Sequence, residues 1–450
     1  MKDKLYITTP IFYVNDKPHI GHAYTSIAAD AMARWSRLRG WPTFYLTGTD
    51  EHGTKVERSA QAAGRPVEDF VDEVSEKFKE LRETLNLSWD KFIRTSDKKE
   101  HWPGAQALWR KLEESGDIYE GEYKGLYCVG CEAFLKEKDL EDGLCPNHKK
   151  EPEFIEEKNL FFRLSKYAPE IKRAIESNEL DIQPESRKNE ILSLIESGLE
   201  DVSFSRPKDK LSWGIPVPGH EDQTMYVWCD ALSNYISAIG YGQDEKEFEK
   251  WWPADVQILG KDILRFHAAI WPGMLLSAGL PLPKHIFVHG FITSEGEKMS
   301  KSLGNVIDPV DIVNKYGSDA LRYYLLREIP SNEDGDFSIE RFEGRDNADL
   351  ANGLGNFASR VSTLGEGIDF SGFEVDNAIQ EKIDETIADA AASANRFRLH
   401  ETVARIWALI QYGDGYVNKN KPWESRDQQV IFNLAYLLLS IADLVSPIVP

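Results

Sequence analysis

The chain has 450 residues, 75 of them acidic and 53 basic, for a net charge of −22 at neutral pH. That balance excludes broad, non-specific attraction to nucleic acid or to an anionic membrane, and leaves only local basic patches that would loosen as salt rises. Hydrophobic residues make up 41%, enough for packed cores, and the length points to about three domains. No continuous run of about 18 apolar residues occurs, and the N-terminus MKDKLYITTP lacks a secretory signal. A cytoplasmic protein with no membrane partner is expected. Three of the four cysteines lie between positions 128 and 145, a clustering that reads as metal binding rather than disulfides.

In chain order, Tyr6 to Arg34 starts as a short apolar strand and breaks at Asn15 to Pro18. It then presents His19-Ile20-Gly21-His22 and becomes helical, with Ala28, Met32 and Trp35 at helical spacing. A strand, a glycine turn and a helix N-terminus collect unpaired N–H groups, which suits nucleotide phosphates. Taken alone, such a turn is more often only a loop with a capping residue. Thr43 to Thr47 is a second buried strand running into Gly48-Thr49-Asp50-Glu51-His52-Gly53. Polar residues crowded at a strand's C-terminal end are what an open parallel sheet offers a ligand. Val67, Phe70, Val71, Val74, Phe78, Leu81 and Leu85 mark an amphipathic helix, and another runs from about His101 to Ser115-Gly116. Alternating strands and helices predict a doubly wound α/β domain.

From about Asp117 to Trp228 short strands, turns and charges dominate. Within them, Cys128, Cys131, Cys145 and His148 form C-x2-C-x13-C-x2-H. Two knuckles of two ligands each suit one tetrahedral Zn²⁺, and a site filled by four protein ligands is structural rather than catalytic. Cys229 stands apart as a small buried residue. The α/β pattern resumes with the strands VQILG (Val256 to Gly260) and HIFVHG (His285 to Gly290). Between them Ile263, His267 and Trp271 share one helix face at i, i+4 and i+8, where a lone histidine reads equally as core or as site.

Phe291 to Asn305 contains Lys298-Met299-Ser300-Lys301-Ser302 flanked by glycines, and reads as a mobile loop whose two lysines either flank a polyphosphate or form a solvated charge run. Asp308-Pro309 and Gly317 bracket a short helix. Beyond about Glu343, helical patterns containing Leu350 to Leu364 and starting near Ile379, His400 and Gln428 make an antiparallel bundle. The chain stops at Leu444 to Pro450 without a polar tail, leaving a continuation open.

His19-Ile20-Gly21-His22 followed in order by Lys298-Met299-Ser300-Lys301-Ser302 resembles the signature pair of class I aminoacyl-tRNA synthetases. With TTPIFYVNDKPHIGHAYT, the zinc-knuckle insertion and the helical C-terminal region, the whole chain is similar to the methionyl-tRNA synthetase family. The resemblance implies a Rossmann-type catalytic domain in two halves, 1–116 and 229–292. Between them, 117–228 would be a connective insertion with the knuckle. It also implies a signature-loop and stem-contact region, 293–343, and a helical anticodon-binding domain, 344–450. The insertion is too short, at about a hundred residues, for the hydrolytic editing domain of some relatives.

The resemblance further implies that His19, Gly21, His22, Lys298, Ser300 and Lys301 bind ATP, with His19, His22, Lys298 and Lys301 catalytic. Ile11, Tyr13, Trp228, Tyr235, Ile263, His267 and Trp271 would form the methionine pocket, which decides between the two readings of His267. Asp50 would receive the substrate ammonium, Arg206 would lie near substrate and nucleotide, and Asp262 would belong to the same set. Asn356, Arg360 and Trp423 would read the anticodon. Implied cofactors are one structural Zn²⁺ and Mg²⁺ with ATP; implied partners are L-methionine, ATP and initiator and elongator tRNA(Met). Two departures are minor: Cys229 stands where the family commonly has a bulky apolar residue, and knuckle number and ligand type vary. A different nucleotidyltransferase sharing the first signature, or a non-enzymatic RNA-binding descendant, remain the alternatives from other classes.

Overall fold

A computed structural model describes residues 4–146, 149–299 and 304–450, and the chain divides into two compact units. The first comprises Met1–Pro18, Gly40–Arg82 and Ser88–Val288; the second His19–Arg39, Glu83–Leu87 and His289–Pro450.

The first unit is built on a seven-stranded sheet of β1 (Leu5–Thr8), β2 (Phe12–Tyr13), β3 (Thr43–Asp50), β4 (Lys91–Arg94), β5 (Asp181–Gln183), β6 (Val256–Gly260) and β7 (His285–His289). Its order is β2-β3-β1-β6-β7-β5, with β4 also paired to β3. The pairings β1–β3, β1–β6, β2–β3, β3–β4 and β5–β7 are parallel. Such strands are covered on both faces, which is why β1, β3, β6 and β7 read as near-continuous apolar runs. One hydrophobic core extends from Tyr6 through Trp109, Phe162 and Trp271 to Val288.

Two strands escaped the sequence reading. β4 (KFIR) and β5 (DIQ) are four and three residues long, too short to show a period. β5 also means that residues 117–228 are not a uniform insertion, since Asp181 to Gln183 pair with His285 to Phe287 in the main sheet. The region also holds an antiparallel sheet in which Ile118–Cys128 pairs along its length with Glu153–Phe162, flanked by Ala133–Leu135 and Val202–Ser203, a second sheet of Ser205–Pro207, His220–Met225 and Pro216–Val217, and the helices Ala168–Glu176 and Glu185–Glu196.

The second unit is largely helical. Helix α1 (Ile20–Leu38) buries Tyr24, Ile27, Ala28 and Ala31. Its fully buried Asp30 faces Arg322 of the helix Ser318–Glu328, Oδ2 to Nη2 at 2.7 Å. The Arg322 guanidinium also donates to the carbonyls of Ile448 (2.9 Å), Pro447 (2.9 Å) and Leu85 (3.1 Å). One arginine therefore joins four separate stretches of chain. Asp308 caps Pro309–Tyr316 as expected, accepting from the Val310 amide, and Gly317 ends it at φ 89°. Helices Asn377–Ala394, Leu399–Asn420 and Gln428–Val445 complete the bundle.

Gln428–Val445 is long and apolar enough, by length and composition, to cross a membrane, although its sequence is interrupted by Asn433, Tyr436 and Asp443. In this unit it buries Ile431, Leu434, Leu437 and Ile441. Its Asn433 donates to Asp376 (2.8 Å) and to the Tyr416 hydroxyl oxygen (3.0 Å), as a core helix does.

Candidate active site

In the first unit, register brings two expected residues together. Tyr13 on β2 pairs with Asp50 at the end of β3, and the Tyr13 ring meets Trp228 edge-on with centroids 6.3 Å apart. Trp228 lies flat on Phe266 at 3.6 Å and 6°, and edge-on to His267 at 6.2 Å. Tyr235 adds a ring near His267 and Trp271, and Ile11 and Ile263 pack beside this core half-buried. The result is an aromatic wall of large, polarizable surface, suited to an unbranched thioether side chain.

His267 is not on a regular α-helix. Residues Phe266–Ile270 are π-helical, so the i, i+4, i+8 face expected for Ile263, His267 and Trp271 does not hold. In this segment Phe266 stacks on Trp228 and His267 meets Tyr235. His267 Nε2 lies 2.7 Å from the Tyr235 hydroxyl and Nδ1 3.0 Å from the Ile263 carbonyl. Nδ1 must therefore donate to the carbonyl, which leaves Nε2 to accept from the tyrosine. Burial lowers the His267 pKa to about 4, so the ring is neutral and the hydroxyl proton points at it.

Asp50 is buried, and its Oδ1 has no hydrogen-bond partner among the described residues. Burial raises its pKa well above the ordinary value, with Asp230 and Glu132 adding to the effect and the His52 amide opposing it. Next to it Glu51 is held by Arg94 of β4 at 2.7 and 2.9 Å. Lys55 Nζ lies 4.2 Å from the Tyr13 ring centroid, and desolvation lowers its pKa. Arg206 is buried with its charge met by Glu157, Nε to Oε2 at 3.0 Å, and its guanidinium sits over the Tyr127 ring at 4.7 Å. Asp262 is exposed on the single turn Lys261–Ile263.

Some residues of this centre were not read from sequence. Glu132, directly after Cys131, is buried and left-handed at φ 48°. Its carboxylate accepts from the Lys55 amide and the Tyr127 hydroxyl. Lys55 is the second residue of helix α2 (Thr54–Ala62), whose N-cap Gly53 has no side chain to offer, so Glu132 caps that helix from far along the chain. A Cβ on Gly53 would sit 2.8 Å from Glu132 Oε1. His52, His101 and Asp230 form a second buried group, and only the crowding of polar residues after β3 hinted at it.

In the second unit, His19 is the N-cap of α1, at φ −133°. His19 Nδ1 accepts from the Gly21 amide and His22 Nδ1 accepts from the His19 amide, both at 3.1 Å. The two rings lie 3.8 Å apart. With both Nδ1 atoms accepting, each neutral ring carries its proton on Nε2, the nitrogen directed away from the turn. Gly21 is required here because a Cβ would come within 2.9 Å of His19 Cε1. The capping reading of the motif holds, and the same two residues keep a ring N–H each.

Lys298, expected in an irregular loop, sits on a strand: Ile292–Ser294 and Glu297–Lys298 form a hairpin that pairs Thr293 with Lys298. Its turn uses Glu295 at φ 53° and Gly296 at φ 81°, and Asp336 Oδ1 pins it through the Gly296 amide and the Thr293 hydroxyl. Ser300 and Lys301 lie outside the described residues. Asn356 and Arg360 are exposed one turn apart on Asn356–Gly365, and Trp423 is 49% exposed.

Cys128, Cys131 and Cys145 bring their sulfurs within 4.8 Å of one another, with Cys131 and Cys145 at 3.5 Å. A tetrahedral ion with 2.3 Å metal–sulfur bonds separates its sulfurs by about 3.8 Å, so the cluster fits a thiophilic metal. His148, expected as fourth ligand, lies outside the described residues. Cys229 is buried, and burial raises its thiol pKa.

The sequence model described as tRNA synthetases class I (M) matches residues 5–152 and 137–362. A methionine–tRNA ligase of Caldanaerobacter subterraneus subsp. tengcongensis is 45% identical across 100% of this chain and 73% of its own length. The chain belongs to the methionyl-tRNA synthetase family. Another member, from Brucella suis biovar 1, is 44% identical over 100% of this chain and 90% of its own. Mycobacterium tuberculosis methionyl-tRNA synthetase in complex with methionyl-adenylate matches with a TM-score of 0.93 and 39% identity, covering 100% of this chain and 92% of that one. Family membership makes the chain an aminoacyl-tRNA ligase with a Rossmann-like catalytic fold and a helix-rich C-terminal region.

Proposed function

We propose that the chain activates L-methionine with ATP to methionyl-adenylate, releasing pyrophosphate, and then transfers the methionyl group to the 3′ terminal adenosine of tRNA(Met), initiator and elongator alike. The observation that carries this reading is the aromatic wall of Tyr13, Trp228, Tyr235, His267 and Trp271 beside the buried carboxylate of Asp50, whose Oδ1 has no partner among the described residues. The wall takes the thioether and Asp50 Oδ1 the α-ammonium. A neutral His267 held by Tyr235 adds no charge against an apolar substrate group. Ile11, Ile263 and Asp262 belong to the same binding set, while Arg206, neutralised by Glu157, shapes the wall through Tyr127.

The attacking carboxylate of methionine is ionised at neutral pH, so the first step needs no general base. What it needs is alignment and charge stabilisation at the α-phosphate. His19 and His22 meet it with two Nε2–H donors at the N-terminus of α1, beside Gly21, where the helix dipole adds positive character. Lys298, Ser300 and Lys301 supply charge and donors to the phosphates, and Mg²⁺ accompanies ATP. Asn356, Arg360 and Trp423 are assigned to the anticodon, the exposed indole offering a face on which a base can stack.

Cys128, Cys131, Cys145 and His148 would hold one Zn²⁺, whose contribution is to stiffen the knuckle. In this assignment residues 1–116 and 229–292 are catalytic, 117–228 carry the knuckle, 293–343 the lysine signature and stem contacts, and 344–450 the anticodon contacts. A cytoplasmic location goes with the reaction's substrates. The test is ATP–pyrophosphate exchange with each of the twenty amino acids: exchange driven by methionine alone is expected, and exchange driven best by another amino acid would overturn the assignment.

A further inference from the structure

Asp230 is fully buried on the helix Val227–Leu232, and each of its oxygens meets an imidazole. Oδ2 lies 2.6 Å from His52 Nδ1 and Oδ1 2.8 Å from His101 Nε2. Both rings are themselves buried. His101 is held at its other nitrogen by Ser237 at 2.8 Å. His52 Nε2 has no partner among the described residues, and the ring rests against Trp213 with centroids 5.3 Å apart. A carboxylate that accepts from two rings while each ring has at most one other partner is an arrangement built around the carboxylate's charge. Two buried carboxylates close enough to interact disfavour each other's ionised form unless cations or donors stand by.

Asp50 is the other carboxylate. It and His52 are separated by one residue at the end of β3, the His52 amide donates to it, and Asp230 is the largest charge acting to raise its pKa. The groups facing Asp50 are Glu51 just past the end of β3, Glu132 from the region after Cys131, Asp230, and Lys55 on α2. Glu51 is paired with Arg94, and Glu132 accepts two hydrogen bonds although burial still raises its pKa. Asp230 has only its histidines: burial disfavours its charge, and the two imidazoles more than reverse that, leaving its pKa below the ordinary value.

We propose that His52 and His101 are positioning residues for methionine recognition: by sharing protons with Asp230 they contain its charge, so that Asp50 keeps its own for the substrate ammonium. This rests on the assignment of Asp50 above. Neither histidine touches methionine or ATP in this account. Their contribution lies in the two ring N–H donors held on Asp230, one residue layer behind the acceptor.

The test is pyrophosphate exchange on the full chain, with methionine and ATP varied separately and pH varied. His52→Gln and His101→Gln each keep an N–H donor for Asp230, but an amide cannot share its proton with a carboxylate as an imidazole does. Each should raise the methionine KM by about tenfold, the equivalent of about one pH unit in a neighbouring acid. The ATP KM and kcat should stay within about twofold. The acid limb of kcat/KM for methionine should move to higher pH. Adding Asp230→Asn to His52→Gln removes the charge that the histidine contained, and should return the methionine KM toward the unaltered value.

A double variant worse than the single, or a methionine KM unmoved in both glutamine variants, overturns the proposal. So does a parallel fall in kcat and rise in both KM values with a lowered melting temperature, which would mean a purely structural role. Asp50→Asn separates this from the underlying assignment. If it leaves the methionine KM unchanged, Asp50 is not the ammonium acceptor; if it raises that KM while the histidine variants do not, only the positioning role falls.

Discussion

Replacing Arg322 with methionine takes away the buried one of the two arginine charges that meet Asp30. Its partner Asp30 is fully buried, and removing one member of a buried ion pair costs about 3–5 kcal/mol, because the remaining charge stays desolvated. Arg34 also donates to Asp30 Oδ2 at 2.7 Å, from a side chain 23% exposed, so the lower end of that range, about 3 kcal/mol, is expected. Melting temperature moves by about 2–4 °C per kcal/mol for a unit of this size, so the second unit should melt about 6–12 °C lower. Scanning calorimetry and urea titration followed by circular dichroism would measure it. Asp30→Asn in the same chain removes the stranded charge, and the double variant should recover part of the loss. An Arg322→Met protein melting within about 2 °C of the parent, or a double variant less stable than the single, would refute the reasoning.

A second expectation concerns pH. His267 has a folded pKa near 4 against an unfolded value of about 6.5. The unfolded chain then binds more protons across that interval, so this residue's contribution is fully present above about pH 6.5 and is lost as pH falls toward about 4. Its full size is about 3 kcal/mol. Comparing urea unfolding of the parent and His267→Asn at pH 7.5 and pH 5 checks it: the stability difference between the two proteins should shrink at the lower pH, and an unchanged difference would count against a neutral buried ring. Cys145→Ser should lose bound metal, measured by plasma emission spectrometry on dialysed protein, and retention of one equivalent would remove Cys145 from the ligand set. Trp423→Ala should lower kcat/KM for tRNA by about 5- to 150-fold, the worth of one base–aromatic stack, with pyrophosphate exchange unaltered; a matching fall in exchange would mean the indole does something other than stack.

The long periodic elements could be read from the residues alone. β1, β3, β6 and β7 announced themselves as buried apolar runs, and Asn377–Ala394, Leu399–Asn420 and Gln428–Val445 by their helical spacing. The capping pattern Asp308-Pro309…Gly317 gave a helix to within a residue at each end. What could not be read depends on pairing across sequence. β4 and β5 become strands only because β3 and β7 offer them edges. The π-helical segment at Phe266–Ile270 carries no local signature, and it sets which rings face Trp228. Glu132, His52, His101 and Asp230 have no motif. Their meaning lies in buried contacts between residues 77 to 178 positions apart, which no local pattern reports. The histidine signature was legible as a helix start, but not the tautomers that its two reciprocal hydrogen bonds impose.

The Glu132 contact sets a limit on how this chain can be recombined. A metal knuckle looks like a cassette that could be exchanged for a shorter or differently liganded one. Yet the residue after its second cysteine closes the first turn of α2, where Gly53 has no side chain to do so. A chimera that preserves every sulfur ligand but moves this glutamate by one position would bind its metal and leave the start of α2 open, beside Tyr13. Transplanted knuckles should be aligned on that carboxylate first and on the cysteines second.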